Sequence, residues 1–227
     1  MRPLALVLAL SAFTFAADPD TDTPGKLSTK YETGNRGPAT VSSGKGDPGG
    51  VSYGSYQLAS KIGRADQFVA KYHPEEFKGL KGGSDEFTKK WKELAAKDPD
   101  ALKKNEHEFI RVTHYQPQAE KLKQAGLDVA KRSATFREVV WSVAVHHGPN
   151  TDVVTKALES LTKNGKALAD IADTDLIKAV YAERGKTTPD GKLIRFKGVS
   201  DDWIPGLKKR FENEQKDALD MLAKEKK

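Results

Sequence analysis

The sequence predicts a mainly helical, α+β fold with one small irregular or β-containing insert at residues 33–58. Three observations carry the prediction. From Ser60 onward, apolar residues recur at helical spacing in one segment after another. Those segments open on capping residues and close on glycines. No series of alternating strands interrupts them, and only "KYETGNRGPATVSSGKGDPGGVSYGSYQLASKIG" (30–63) is crowded with Gly, Ser and Pro.

The chain begins with Met1-Arg2, an apolar run from Leu4 to Phe15, and small residues at Ala16 and Ala17. That pattern reads as a secretory signal peptide over residues 1–17. The run is too short to span a bilayer. The expected mature chain is therefore exported and soluble, working in the periplasm or the medium without a membrane anchor. "DPDTDTPGKL" (18–27) is a polar leader. Residues 28–227, roughly 200 residues, suffice for one domain with a real core.

The helices follow in order. "RADQFVAKY" (64–72) puts Phe68, Val69 and Tyr72 on one face, and "KGLKGGS" (78–84) is a loop. "SDEFTKKWKELAAK" (84–97) opens on a capping serine and aligns Phe87, Trp91 and Leu94. "DPDALKKNEHEFIRVTHY" (98–115) starts with Asp98 as cap and Pro99 at the first helical position. Pro117 begins or kinks the next helix, which runs to about Gly126. "ATFREVVWSVAVHH" (134–147) is the most apolar segment and should be the central buried helix, stopped by Gly148-Pro149. "TDVVTKALESLTK" (151–163) and "DTDLIKAVYAERG" (173–185) follow, the latter capped by its first aspartate and ended by glycine. Pro189-Asp190-Gly191 marks a short hairpin, and residues 204–227 close as a charged amphipathic helix.

Composition narrows the chemistry. There are no cysteines, so thiolate metal sites and cysteine catalysis are excluded, and an exported chain must rely on its core alone, as in bacterial envelopes. The net charge of +6 is spread along helices where Lys and Glu alternate. This is a solvated surface with some affinity for an anionic polymer, not a nucleic-acid stripe. His107 and His114 are seven apart, too far for the metalloprotease spacing, and no phosphate loop or nucleophile elbow is present. No metal, no cofactor and a monomeric state are expected.

The candidate site lies in the irregular segment. Glu32 ends a short helical lead where it meets the glycine-rich loop; a partly desolvated carboxyl there would stay protonated as a general acid. Asp47 follows fifteen positions later in "GKGDPGG", either as the second carboxylate of a glycosidic site or as a plain turn residue. In "SYGSYQL" (52–58), Gly54 permits close backbone approach. Gln57 offers a donor and an acceptor, and Tyr53 and Tyr56 offer flat faces for sugar rings. His146 and His147 at a helix end either bind substrate or close the helix structurally. Arg184 and Glu183 form either a buried ion pair or a solvated helix end; Trp141 reads as core, with Trp203 a further aromatic candidate.

"YETG" followed by a loop and "YGSYQL" resembles the Glu-Ser and Gly-Leu-Met-Gln pair of goose-type lysozymes and lytic transglycosylases. The "GDPGGVSYG" run is similar to phage endolysin-type muramidases and to lysozyme-like domains attached to phage tail and secretion-spike proteins. "VVWSVAVHHGP" and "LIKAVYAERG" look like the core helices of such domains. Thr33 stands where serine is usual, and the loop before "DPGG" is longer than in the endolysins. The resemblance implies a lysozyme-like helical domain with the insert lining a cleft, Glu32 as acid, and Gly54 and Gln57 as cleft residues. The expected function is cleavage of a β-1,4-linked aminosugar polymer, peptidoglycan first. Chitosanase or lytic transglycosylase chemistry on the same fold remains open, as does a non-catalytic wall-binding or secretion-associated module.

Overall fold

The computed structural model describes residues 24–33, 37–163 and 165–225, with nothing stated for the side chains of Glu32 and Thr33. The signal peptide read at 1–17, and the part of the leader at 18–23, lie outside the described residues. The rest is mainly helical with one small β element. The helices are α1 (Lys26–Ser28), α2 (Arg64–Tyr72), α3 (Asp85–Lys97), α4 (Pro99–Ile110), α5 (Gln116–Gln124), α6 (Ala134–His147), α7 (Val153–Thr162), α8 (Asp173–Arg184) and α9 (Ile204–Glu225). Two short strands, β1 (Ser52–Tyr53) and β2 (Leu58–Ala59), pair antiparallel, Ser52 opposite Ala59 and Tyr53 opposite Leu58.

The helix starts follow their capping chemistry. Ser84 Oγ accepts from Phe87 N, Asp98 Oδ1 from Ala101 N with Pro99 behind it, and Ser133 Oγ from Phe136 N. Each cap satisfies one of the amides a helix start leaves unpaired, worth about 1 kcal/mol. The cap read at Asp173 is corrected. Ala172 holds the cap position, and the Asp173 carboxylate instead accepts from Ser133 N at 2.8 Å and pairs with Arg132 at 3.3 Å. A long-range ion pair outcompetes the local cap there.

The apolar residues divide into two cores. One gathers Phe68, Phe77, Phe87, Trp91, Leu102, Phe109 and Trp141 around the hairpin. The other is built by α5 to α9, with Leu27 from α1 inserted into it. Each fully buried ring or aliphatic chain contributes about 1.5–3 kcal/mol, so both cores are substantial. Two elements join them. α6 gives Trp141 to the first core and Phe136, Val139, Val140 and Val143 to the second. α4 runs on through a π-helical turn, Arg111–Tyr115, into α5, and Tyr115 packs against both cores. Pro117 sits in the first turn of α5; it lacks the N–H that would continue the ladder, and the wider turn upstream absorbs the misfit.

Between α8 and α9 the loop closes on an isolated bridge, Thr187 with Leu193, around the Pro189-Asp190-Gly191 turn. No helix among the described residues is long and apolar enough to cross a membrane.

Candidate functional site

Glu32 belongs to a π-helical turn, Thr29–Thr33, that continues α1. This lead is held at both ends. Glu138, in the middle of α6, accepts from Gly25 N at 2.8 Å and Leu27 N at 3.1 Å, filling amides the short helix leaves open. At the other end Tyr31 Oη and Lys30 Nζ both donate to Asp217 Oδ2 of α9, each at 2.5 Å. Burial, and then the bond to Asp217, raise the Tyr31 phenol above its ordinary range. The backbone of Glu32 is therefore fixed on the second core, and the chain resumes at residue 37 beside the first, where Trp91 Nε1 donates to Pro38 O at 2.8 Å.

The insert then runs over the first core. Gly54 N donates to Thr40 O, Ser42 N to Ser52 O, and Val41 bridges Tyr53, giving the hairpin a third strand-like partner. Asp47 is exposed; its Oδ1 accepts from Gly49 N at 2.7 Å, and Gly50 N bonds to its carbonyl. The Asp-Pro-Gly-Gly segment is thus a side-chain-stabilised turn carrying a solvent-facing carboxyl. Gln57 takes a left-handed φ of 52° and gives its amide nitrogen to Gly54 O at 2.8 Å.

Tyr53 corrects the expectation of a sugar platform. It is wholly buried, packed on Phe87 and Trp91 at ring distances of 4.9 and 5.3 Å. Its hydroxyl pairs with Thr88 Oγ1 and accepts from Gly83 N. Its position on the inner face of β1 leaves no ring surface for a ligand. Tyr56 is half-buried, its hydroxyl 2.7 Å from His107 Nδ1. His107 in turn stacks on Trp141 at 4.6 Å, so Trp141 is core as read. Trp203 is 69% exposed.

Gly54 is the tightest point of the insert. It is buried at φ +75°, and a Cβ there would stand 1.5 Å from Glu106 Oε1. Glu106, on α4 and fully buried, accepts from Ser55 N with both oxygens, at 3.0 and 3.2 Å. Burial pushes its carboxyl up to about 8.

His146 and His147 are both part-buried, and each turns one ring nitrogen to Arg184. Arg184 Nη2 lies 3.0 Å from His146 Nδ1, and Arg184 Nε donates to His147 Nε2 at 3.2 Å. Both rings pack on Phe196 and Phe211. Burial first, then the neighbouring arginines, push His147 down to about 3 and His146 further still, so both are neutral acceptors. The ion pair read for Arg184 with Glu183 is also corrected: Arg184 Nη1 pairs with Glu214 at 3.0 Å, both fully buried, while Glu183 pairs with Arg195. Ser142 Oγ and Tyr181 Oη donate to the same Glu214 oxygen.

Sequence reading missed Glu106, Glu138 and Glu214. Glu138 had a signal, a lone acid within the most apolar helix. Glu106 had a fainter one, sharing a helical face with Leu102, Phe109 and Ile110.

These buried groups set a pH profile for folding. His147 at about 3, His114 at about 4 and His146 below both take up fewer protons folded than unfolded, so stability is lost as pH falls below about 6.5. Glu106 acts oppositely: its contribution is present at low pH and is lost as pH rises from 4.5 through about 8. Three histidines outweigh one carboxyl below about 6.5, so thermal melts from pH 4 to 9 should show a maximum near pH 6.5. A monotonic rise to pH 9 would contradict this assignment.

A family model for the Type VI secretion system spike protein VgrG3-like C-terminal region matches residues 24–215. The chain is similar to the Type VI secretion system spike protein VgrG3 of Vibrio cholerae serotype O1 (strain ATCC 39315 / El Tor Inaba N16961), 34% identical over 201 residues. That match covers 87% of this chain and 18% of the relative. It overturns the assignment to the lysozyme superfamily drawn from "YETG" and "YGSYQL", a resemblance resting on about 30 residues, where the family model spans nearly the whole described chain. The chain belongs to the VgrG3-like C-terminal family of Type VI secretion spike proteins.

Proposed function

We propose that this chain is an exported wall-glycan hydrolase that cuts the β-1,4-linked aminosugar backbone of peptidoglycan. Glu32 donates its proton to the glycosidic oxygen as the bond breaks. Asp47 positions water or stabilises the positive charge that develops on the sugar, and Tyr56 and Gln57 contact the sugars. The observation that carries the reading is the course of the chain at Glu32. The lead that bears it is anchored on one core by Glu138 and Asp217, and the next described segment packs on the other. Seams between separately packed units are where binding clefts form. The acidic turn at Asp47 and the apolar leader at 4–15 support the same reading, the latter by favouring work outside the cytoplasm. We expect the working form to be a monomer without a metal or cofactor.

The test uses dye-labelled insoluble peptidoglycan. Wild type should release soluble fragments; Glu32→Gln should release them about 10²–10⁴-fold more slowly while co-sedimenting with the polymer as before. Release unchanged by the substitution would remove Glu32 from the chemistry. A second reading, a non-catalytic module that docks on the wall, is favoured by the family's description as the C-terminal part of a secretion spike. Binding without release by either protein would select it.

A further inference from the structure

We propose that Glu106 is a positioning residue: it clamps the turn Gly54–Gln57 and so fixes that turn against the segment that carries Glu32. The inference deepens the wall-glycan reading and rests on it for its activity readout.

The geometry is a chain of contacts across four elements. Glu106 and His107 are consecutive on α4, and each holds one residue of the turn. Glu106 takes the Ser55 amide with both carboxyl oxygens. His107 takes the Tyr56 hydroxyl at 2.7 Å and is itself fixed by stacking on Trp141 of α6. The lead that bears Glu32 comes up against this pair: a Cβ at Gly25 would stand 3.5 Å from Tyr56 Oη. Gly25, at the start of that lead, lies so close that a Cβ would stand 2.7 Å from His107 Cε1. The turn and the Glu32 lead therefore meet at Tyr56, and the turn keeps its place because Glu106 holds its amide.

Such a carboxyl has no need of charge. The titratable groups around it are Lys103 and His107 on its own helix, Tyr56 on the turn, and Glu138 of α6, which faces Tyr56 from the other side. Among the described residues none forms an ion pair with it. Protonated or ionised, the acid accepts from Ser55 N–H. Ionised, it accepts the same amide more strongly, because a hydrogen bond to a charged acceptor is the stronger one, so the clamp holds in both states.

Glu106→Gln keeps a carbonyl for the Ser55 amide on a side chain of the same length. Turnover of wild type and Glu106→Gln on peptidoglycan should agree within about threefold at pH 6. Glu106→Ala, checked for folding by circular dichroism, should lower kcat at least about tenfold with a smaller change in KM. The Ser55 amide resonance supplies the substrate-free readout: it should titrate in wild type and not in Glu106→Gln. A Ser55 amide that titrates alike in both proteins would overturn the proposal, as would a folded Glu106→Ala with wild-type kcat. Wild type inert on every glycan, with Ser55 still titrating only when Glu106 is present, would sink the glycan reading and uphold the clamp.

Discussion

Arg184→Met is expected to destabilise the fold by about 3–5 kcal/mol, the range for stripping one partner from a buried ion pair. The physical reason lies in what is left behind. Glu214 is fully buried, and Arg184 is its closest cation, at 3.0 Å; Arg210 stands off at 3.5 Å. Removing the guanidinium also takes the donors from His146 and His147, two rings kept neutral by their surroundings. The loss should be mostly electrostatic, because methionine refills much of the arginine's apolar volume. Arg184→Met combined with Glu214→Gln should therefore recover most of the stability. The glutamine carbonyl still accepts from Ser142 and Tyr181, and no buried carboxylate is left without Arg184. Urea denaturation of the four proteins of this cycle checks the prediction. A double variant no more stable than Arg184→Met would mean that packing against Phe211, not charge, is what Arg184 supplies.

Gly54→Ala is the second large effect, again about 3–5 kcal/mol. Two costs add. At φ +75° an alanine sits in a region that costs L-residues about 1–2 kcal/mol. Its Cβ would then overlap Glu106 Oε1 at 1.5 Å, with Trp91 Cζ2 behind it at 3.0 Å. The end of a glutamate side chain can swing aside on a surface, but Glu106 is enclosed and its movement would strand the Ser55 amide. Gly63, also at positive φ, has open space around its Cβ position, so Gly63→Ala isolates the strain alone. Equal losses at the two positions would contradict the overlap with Glu106.

The local physics of helices was legible in the sequence; the placement of charge was not. Ser84 and Asp98 cap because a side-chain oxygen there meets an amide three residues on, a relation contained within one turn. Glu138 could not be read in the same way. It is buried because Gly25 and Leu27, more than a hundred positions away, bring amides to it. Glu214 is likewise set by Ser142 and Arg184 on other helices. Tyr53 shows the complementary difficulty. In a Gly- and Ser-rich run an aromatic ring reads as exposed, yet pairing with Leu58 and Val41 turns it onto the core, while Tyr56 three residues later stays half-exposed. Asp47 did what its Asp-Pro-Gly-Gly context dictates, forming a turn with its own side chain, and this leaves the carboxyl in solvent. The short motif around Glu32 pointed to the wrong family because it samples too few residues to separate one helical frame from another.

The most direct measurement is mass spectrometry of the products formed on purified peptidoglycan by wild type and Glu32→Gln. Wild type should give muropeptides with free reducing-end sugars, and the variant none. Intact glycan strands in both digests, or products cut only within the peptides, would contradict the wall-glycan reading.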